Sequence, residues 1–472
     1  MQATWQKVPI IGAPYESVEE IELDTMNASV QDAYVNEMDH IIKRPDLEEW
    51  IDLGTNLPVD GLYWWDEQNV VIVVSNKRVW KIIAQDGTIS EITGSTALLA
   101  GGIVSFATDG TVLIMANGAS MVHTDLATLT TMADAQAPTA VTHIAYLDRY
   151  ILAMGSTQIN FSTVGDYSNW AALDYFQAEG QPDNNVAMME GFREIIVLGH
   201  RSVEFFYNDG QTPFSRLAGS AQPFGCSAPY SLCQVGGTWI WLDQNRRLVS
   251  MTGRQVTPVS NPFERVIQRY QNVDDAVGYT ISVDGYPLYI LNFPTAKQTL
   301  VFNYLTQKWS KWGYWNTGTG AYERYRGQCY CYARKWNFHL VGDWQNGKIY
   351  KATRSGFTDN TNPIRTLIRT GHISHGTETN KRSHVLRLRM KRGLGNASVS
   401  NPQITMRRRV NNAAQWENER WASLGQVGQH ELHVEFRRNG TYRTCQYEFS
   451  HSDNSDFVLV GAEELIEPLM GR

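Results

Sequence analysis

Chemistry in this 472-residue chain has few places to sit. The loop GHISHG sets His372 and His375 three residues apart, with His384 and Glu378 nearby. Imidazole and carboxylate side chains can hold a divalent metal when three or four converge, but Glu378 is the single near carboxylate, and no metal site is assigned. Asp274 and Asp275 have the types for general acid–base work, yet adjacent carboxylates point apart and more often solvate a helix end. Gly318-Thr319-Gly320 lacks the lysine and the following helix of a phosphate cradle. No serine stands in a nucleophile elbow. The five cysteines (Cys226, Cys233, Cys329, Cys331, Cys445) contain no CxxC pair and read as reduced packing residues. The expectation is a protein without catalytic residues, metal or cofactor.

Charged surface is the other kind of site. HVLRLRMK alternates strictly, with Leu386, Leu388 and Met390 on one face and Arg387, Arg389 and Lys391 on the other. With Arg407, Arg409, Arg437 and Arg438 these form an expected basic stripe for subunit or partner contacts. Aromatic residues are not interleaved with it, which weakens a single-strand nucleic-acid reading. The whole chain carries −7, but residues 1–60 carry about −10 and residues 361–445 about +10. Such a separation suits head-to-tail association of copies; two solvated surfaces of opposite sign are the alternative. Within the acidic segment Tyr15, Tyr34 and Trp50 can anchor it, Trp50 best of the three.

The elements that must position these residues are β-strands. Hydrophobic residues make up 42% of the chain and charged ones 19%, with 15 Trp and 22 Tyr, the balance of a folded, strand-rich protein. No signal peptide precedes the first strands, and no apolar run is long enough to span a bilayer. Short β-branched and aromatic runs closed by Asp-Gly or Asn-Gly turns recur from Gly61 onward. Aligning one strand per copy at Val71, Leu113, Ile151, Ile196, Trp239, Tyr289 and Phe338 gives a spacing of roughly 45 residues, the period of a four-stranded propeller blade. The fold class is therefore all-β: a propeller of about seven blades, six or eight also fitting. The apolar runs Leu288–Leu291 and Phe338–Val341 are read as inner strands. A short amphipathic helix is expected in residues 261–277, after Pro262, with Phe263, Val266, Ile267 and Tyr270 on one side. Three domains follow: residues 1–60, an irregular extended assembly segment; 61–360, the propeller; and 361–472, a sandwich-like β domain.

The C-terminal run WENERWASLGQVGQHELHVEFRRNGTYRTCQYEFSHSDNSDFVLVGAEELIE resembles the C-terminal signature of the tail-hub proteins of short-tailed bacteriophages, also called packaged-DNA stabilisation or tail-nozzle proteins. The resemblance is carried by Trp421, Leu424-Gly425, Arg437-Arg438 with Gly440, Arg443 and Gly461-Ala462. His430 stands where that pattern has an aromatic residue. GFREIIVLGHRSVEFFYNDG and YVNEMDHIIKRPDLEEW resemble further family stretches. The resemblance implies a virion protein of the phage tail, assembled in the host bacterial cytoplasm as a six-fold homo-oligomeric ring. Its implied partners are the portal and adaptor complex, tail fibres or spikes, a plug or needle, and DNA passing without sequence specificity. A propeller that binds or hydrolyses host surface glycans is the alternative. Its carboxylate pair cannot be assembled from the apolar strands, and the hairpin around Trp416 lacks the Asp and Gly of sialidase-type repeats.

Overall fold

The structure is a computed structural model and describes residues 2–11, 29–210, 213–259 and 262–469. Tyr15 and the most acidic stretch, residues 12–28, lie outside the described residues.

The first blade shows how the sequence builds the unit. Val59–Trp65, Val70–Ser75, Arg78–Ile82 and Ile89–Ile92 form an antiparallel sheet in chain order. The link Asn76-Lys77 has positive φ at both residues, as a type I′ hairpin requires. Asp284-Gly285 repeats this geometry in the sixth blade. Sheets of the same order start at Ser105, His143, Asn185, Cys233, Val277 and Gly327, so seven blades are present among the described residues. The chain is an all-β propeller with an attached sandwich.

The expected inner strands are corrected. Tyr286–Phe293 and Phe338–Asp343, which contain the runs read as inner, are second from the axis. First strands of successive blades, such as Ser105–Thr108 with His143–Leu147, pack on one another around the axis. The reason is burial. A second strand has sheet partners on both edges and a neighbouring blade on each face, so Val70–Ser75, Leu113–Ala116 and Thr238–Leu242 are buried at every residue and read as unbroken apolar runs.

The seventh blade draws its outer strand from the far end of the sequence. Asp46–Asp52 pairs antiparallel with Lys348–Thr353, from Asp46 opposite Thr353 to Asp52 opposite Lys348. Earlier N-terminal strands enter the C-terminal domain. Thr4–Val8 pairs with Val458–Pro468, as does Ile41–Lys43. Ser29–Gln31 pairs with Thr366–Arg369. The segment read as one extended unit over residues 1–60 is thus divided between a sandwich and a blade.

One sandwich sheet runs Ala33–Val35, Ile41–Lys43, Val458–Pro468, Lys381–Met390, Val434–Tyr442. The other runs Ser29–Gln31, Thr366–Arg369, Cys445–His451, Gln403–Val410, Arg420–Ser423, and is continuous with the sixth blade through Gln31 beside Lys311. Leu386, Leu388, Met390, Ile404, Met406, Phe436 and Phe449 fill the space between them. The expected helix is a single turn, Glu264–Gln268, with Phe263 and Ile267 buried against the core shared by the fifth and sixth blades.

Candidate functional site and assembly surfaces

Where sandwich meets propeller, charge is buried. Arg44, between the Ile41–Lys43 and Asp46–Asp52 strands, is inaccessible to solvent. Its Nε donates to Asp32 Oδ1 at 2.8 Å, its Nη1 to Asp359 Oδ1 at 2.8 Å, and a second Nη pairs with Asp359 Oδ2. It also donates to the Gly313 carbonyl at 2.9 Å, and its guanidinium lies 5.0 Å from the Tyr325 ring. Burial pushes the Asp32 carboxyl up to about 6 against the pull of Arg44. Burial acts against the Arg44 charge as well, but the two carboxylates outweigh it and hold the guanidinium charged. Next to it, Lys43 donates to the carbonyls of Asp453 and Ser455, and burial lowers its ammonium to about 7. Arg44-Pro45 is visible in the sequence as the start of an extended segment; its two carboxylate partners, 12 and 315 residues away, are not.

The expected basic stripe does not exist as one surface. Arg387, Arg389, Arg437 and Arg438 lie on one sandwich sheet, with Lys391 just past the end of its Lys381–Met390 strand, and Arg407 and Arg409 lie on the other. Most are paired within the chain. Arg387 bridges Glu435 (2.8 Å) and Glu463 (3.3 Å), Arg389 meets Glu463 at 2.6 Å, and Lys391 meets Asp456 at 2.6 Å. Arg437 reaches Glu435 at 2.9 Å while staying largely exposed, and Arg438 is exposed in the left-handed region. The alternation that placed Arg387, Arg389 and Lys391 on one face is right; the neighbouring strands bring carboxylates that a single strand cannot reveal. Trp50 sits in the seventh blade, edge-on to Phe338 at 5.8 Å, with the Lys351 ammonium 5.0 Å from its ring.

On the second sheet, register puts Arg369, Glu448 and Arg407 directly opposite one another across three strands. Glu448 accepts from Arg369 Nε at 3.0 Å and from Arg407 Nε at 2.6 Å. Burial would raise its carboxyl, but the two guanidiniums hold it below the usual range. Arg369, Arg407 and Arg409 all lie 5.0–5.3 Å from the Trp416 ring. The aromatic residue missing from the sequence pattern is supplied by the loop after Gln403–Val410.

The histidines diverge. His375 Nε2 is 3.1 Å from Glu464 and His384 Nε2 3.0 Å from Glu467, while His372 lies near Arg409. Glu464 is buried and also accepts from Tyr442 (2.8 Å) and Tyr447 (2.6 Å). Burial works to raise it, and these hydrogen bonds outweigh that. Asp275 accepts from the backbone and hydroxyl of Thr295, a turn role. All five cysteines are unpaired.

Along the propeller axis lies a cavity of about 500 Å³. Tyr63, Phe106, His143, Tyr230, Tyr279 and Tyr330 line it. They stack in three pairs, Tyr63 on Phe106 (5.2 Å), His143 on Tyr230 (5.2 Å) and Tyr279 on Tyr330 (5.8 Å). Asp60 and Glu190 are the carboxylates of its lining.

The blades match a known family model, described as bacteriophage P22 Gp10, beta-propeller, over residues 55–355. The chain belongs to this phage stabilisation family. The matched residues begin within the stretch that leads into the first blade and end just after the third strand of the seventh. Among solved structures, BamB from Moraxella catarrhalis is similar at 10% identity and a TM-score of 0.40, covering 75% of this chain and 98% of BamB. YCF48 bound to D1 peptide is similar at 11% identity and 0.42, covering 66% of this chain and 100% of the other. The RRP9 WD40 repeats are similar at 9% identity and 0.43, with 66% and 100% covered. No curated protein matches the chain. Among the described residues no helix is long and apolar enough to cross a membrane.

Proposed function

We propose that this chain is a structural virion protein of a short-tailed phage, a hub or nozzle ring below the portal and adaptor complex. It retains packaged DNA, forms the channel for ejection without reading sequence, and offers surfaces to fibres or spikes and to a plug. The observation that carries the reading is the family match over residues 55–355, every blade strand except the outermost of the seventh. The role is mechanical and uses no catalytic residue, metal or cofactor; assembly takes place in the bacterial cytoplasm and the mature protein resides in the tail. Six copies meet by heterologous contacts, which close a ring when the rotation between copies is right. The separation of charge between chain ends is a weaker support than the sequence alone implies, because Arg387, Arg389 and Lys391 are answered by Glu463, Glu435 and Asp456. Arg438, exposed at a bulge within the Val434–Tyr442 strand, and Arg437 remain as contact candidates.

Antibody-labelled electron microscopy of particles tests the reading. Label at the tail base with six-fold averages is the expected result, and particles without label would overturn it. The aromatic lining of the axial cavity favours one second reading, a tail propeller that binds or cleaves host surface glycans, since sugar rings stack on aromatic faces. A glycan array and a reducing-sugar assay on the intact chain decide that alternative; silence in both removes it.

A further inference from the structure

Two surface patches on different domains carry complementary chemistry. The first is a bulge in the outer strand of the third blade. In Asp166–Phe176 pairing runs from Phe176 opposite Ile159 and Tyr175 opposite Asn160 directly to Trp170 opposite Ser162. Four residues, 171–174, therefore face the single Phe161, three more than regular pairing holds, and the strand bulges there. Leu173, among them, is 85% exposed; Tyr175, two residues on, is 40% exposed, and Val164, in the link before the strand, is 50% exposed. Residues 164–184 contain Asp166, Asp174, Glu179 and Asp183 and no Lys or Arg. The result is an apolar knuckle with a mainly acidic rim, interrupted where the exposed Arg149 packs on Gly165, on an edge strand with no further sheet partner among the described residues.

The second patch is the outward face of the sandwich sheet that carries Trp416. Leu367, Ser450, Thr405 and Trp421 lie opposite one another across four strands, beside the row of Arg369, Glu448 and Arg407. Trp421 is 62% exposed on a short edge strand. The neighbouring ladder sets two guanidiniums against one carboxylate, while Arg409, beneath Trp416, is buried and bonded to Gln446. The arginines gather on the half-buried Trp416, and the exposed Trp421 stands one register step from their row, so the face pairs an exposed indole with a net positive ladder, a composition enriched at interface hot spots.

We propose that the Leu173 knuckle of one copy seats against the Trp421 face of the next, so that the two patches form a heterologous contact between copies of this chain. Apolar crest meets indole, and acidic rim meets guanidinium. Because the patches belong to different domains, the contact cannot be self-complementary and propagates from copy to copy. The inference rests on the ring reading for its premise that copies associate.

The test uses the full chain with Leu173→Lys and Trp421→Ala. Both side chains are exposed, so each variant is expected to melt as the wild type does. Sedimentation velocity is expected to show association weakened about tenfold or more in each, the size of one hot-spot loss. Mixing the variants supplies the decisive result. Leu173→Lys retains an intact Trp421 face and Trp421→Ala an intact knuckle, so a mixture is expected to form pairs that grow no further. Wild-type association in either variant overturns the proposal, as does a mixture that fails to pair, or a wild type that stays monomeric at every concentration. Variant particles with an unchanged labelled ring overturn it while leaving the hub reading intact. Absence of the wild-type chain from particles sinks the hub reading instead.

Discussion

The propeller and the sandwich are both antiparallel β, and they are assembled in opposite ways. Each of the first six blades is one continuous stretch of chain whose strands pair in the order they occur. The sandwich takes strands from both ends, placing Thr4–Val8 and Ile41–Lys43 against Val458–Pro468. Their stabilisation differs accordingly. Blades meet through apolar second strands and aromatic seams, whereas the sandwich carries ladders of opposite charge on its outward faces and a buried ion cluster at its junction with the propeller. Local pairing needs only turns and hydrophobic surface; joining distant segments correctly is helped by groups that accept few partners, as buried charges do.

The sharpest break in that comparison is at the junction. Arg44→Met leaves Asp32 and Asp359 buried without their cation and is expected to cost about 3–5 kcal/mol in urea unfolding. Adding Asp32→Asn and Asp359→Asn is expected to recover part of that loss, which a role in packing alone would not predict.

Next in size is a pair of glycine substitutions. A Cβ at Gly191 would lie 2.2 Å from the ring of Trp239 in the next blade, while one at Gly461 in the sandwich meets nothing within 4 Å. Gly191→Ala is expected to cost about 1–3 kcal/mol through overpacking of the blade seam. Gly461→Ala should be neutral or slightly stabilising. Thermal melts of the two variants compare the regions directly, and equal losses would erase the contrast.

Glu448→Gln probes the sandwich ladder. The Glu448 carboxyl is held below its usual range, so its contribution is present above the unfolded value near 4.5 and is lost as pH falls through the lower folded value. A cost of about 1–2 kcal/mol at pH 7 is expected, shrinking toward zero in acid. A pH-independent difference would mean that the carboxylate charge is not what the ladder uses.

The smallest expected effect has the opposite sign and sits at the axis. Burial pushes Asp60 up to about 6, while its Oδ2 accepts from the backbone of Asn76 and Gly101. A raised carboxyl favours the folded state when protonated, so this group's stabilisation is full below about 4 and is lost as pH rises through about 6. Asp60→Asn keeps an acceptor and is expected to gain about 1 kcal/mol at pH 7 relative to pH 4. Paired melts across that range measure it.

The same division explains what the sequence disclosed. Blade number and order were legible because each blade repeats turns such as Asp284-Gly285 and apolar runs such as Val70–Ser75 at a fixed period. Which strand faces the axis was not, since a run buried on both faces signals depth without direction. The turn Phe192-Arg193 has positive φ at both residues without a glycine and carries no signal in its composition. For the candidate surfaces, alternation correctly set Arg387, Arg389 and Lys391 on one face, but Glu463 and Asp456 lie more than sixty residues away. Arg407 and Arg409 were joined to that stripe by type, and only sheet pairing separates them. Trp416, set aside as a degraded repeat motif, is the ring on which three arginines converge.

Closure by Asp46–Asp52 fixes an order of events during synthesis. That strand leaves the ribosome early, and its partner, Lys348–Thr353, follows only after nearly all the blades have been made. Until then the seventh blade's outer strand has no blade to join, and the sandwich lacks most of both sheets. Sequential blades form from contacts of low sequence separation, but the final clasp spans about three hundred residues, a loop whose closure is slow. The nascent chain therefore carries an unpaired strand edge at its front for most of its translation, the period in which aggregation competes with folding. A chain truncated before residue 348 keeps six blades' worth of sequence and loses the means to close them into a ring.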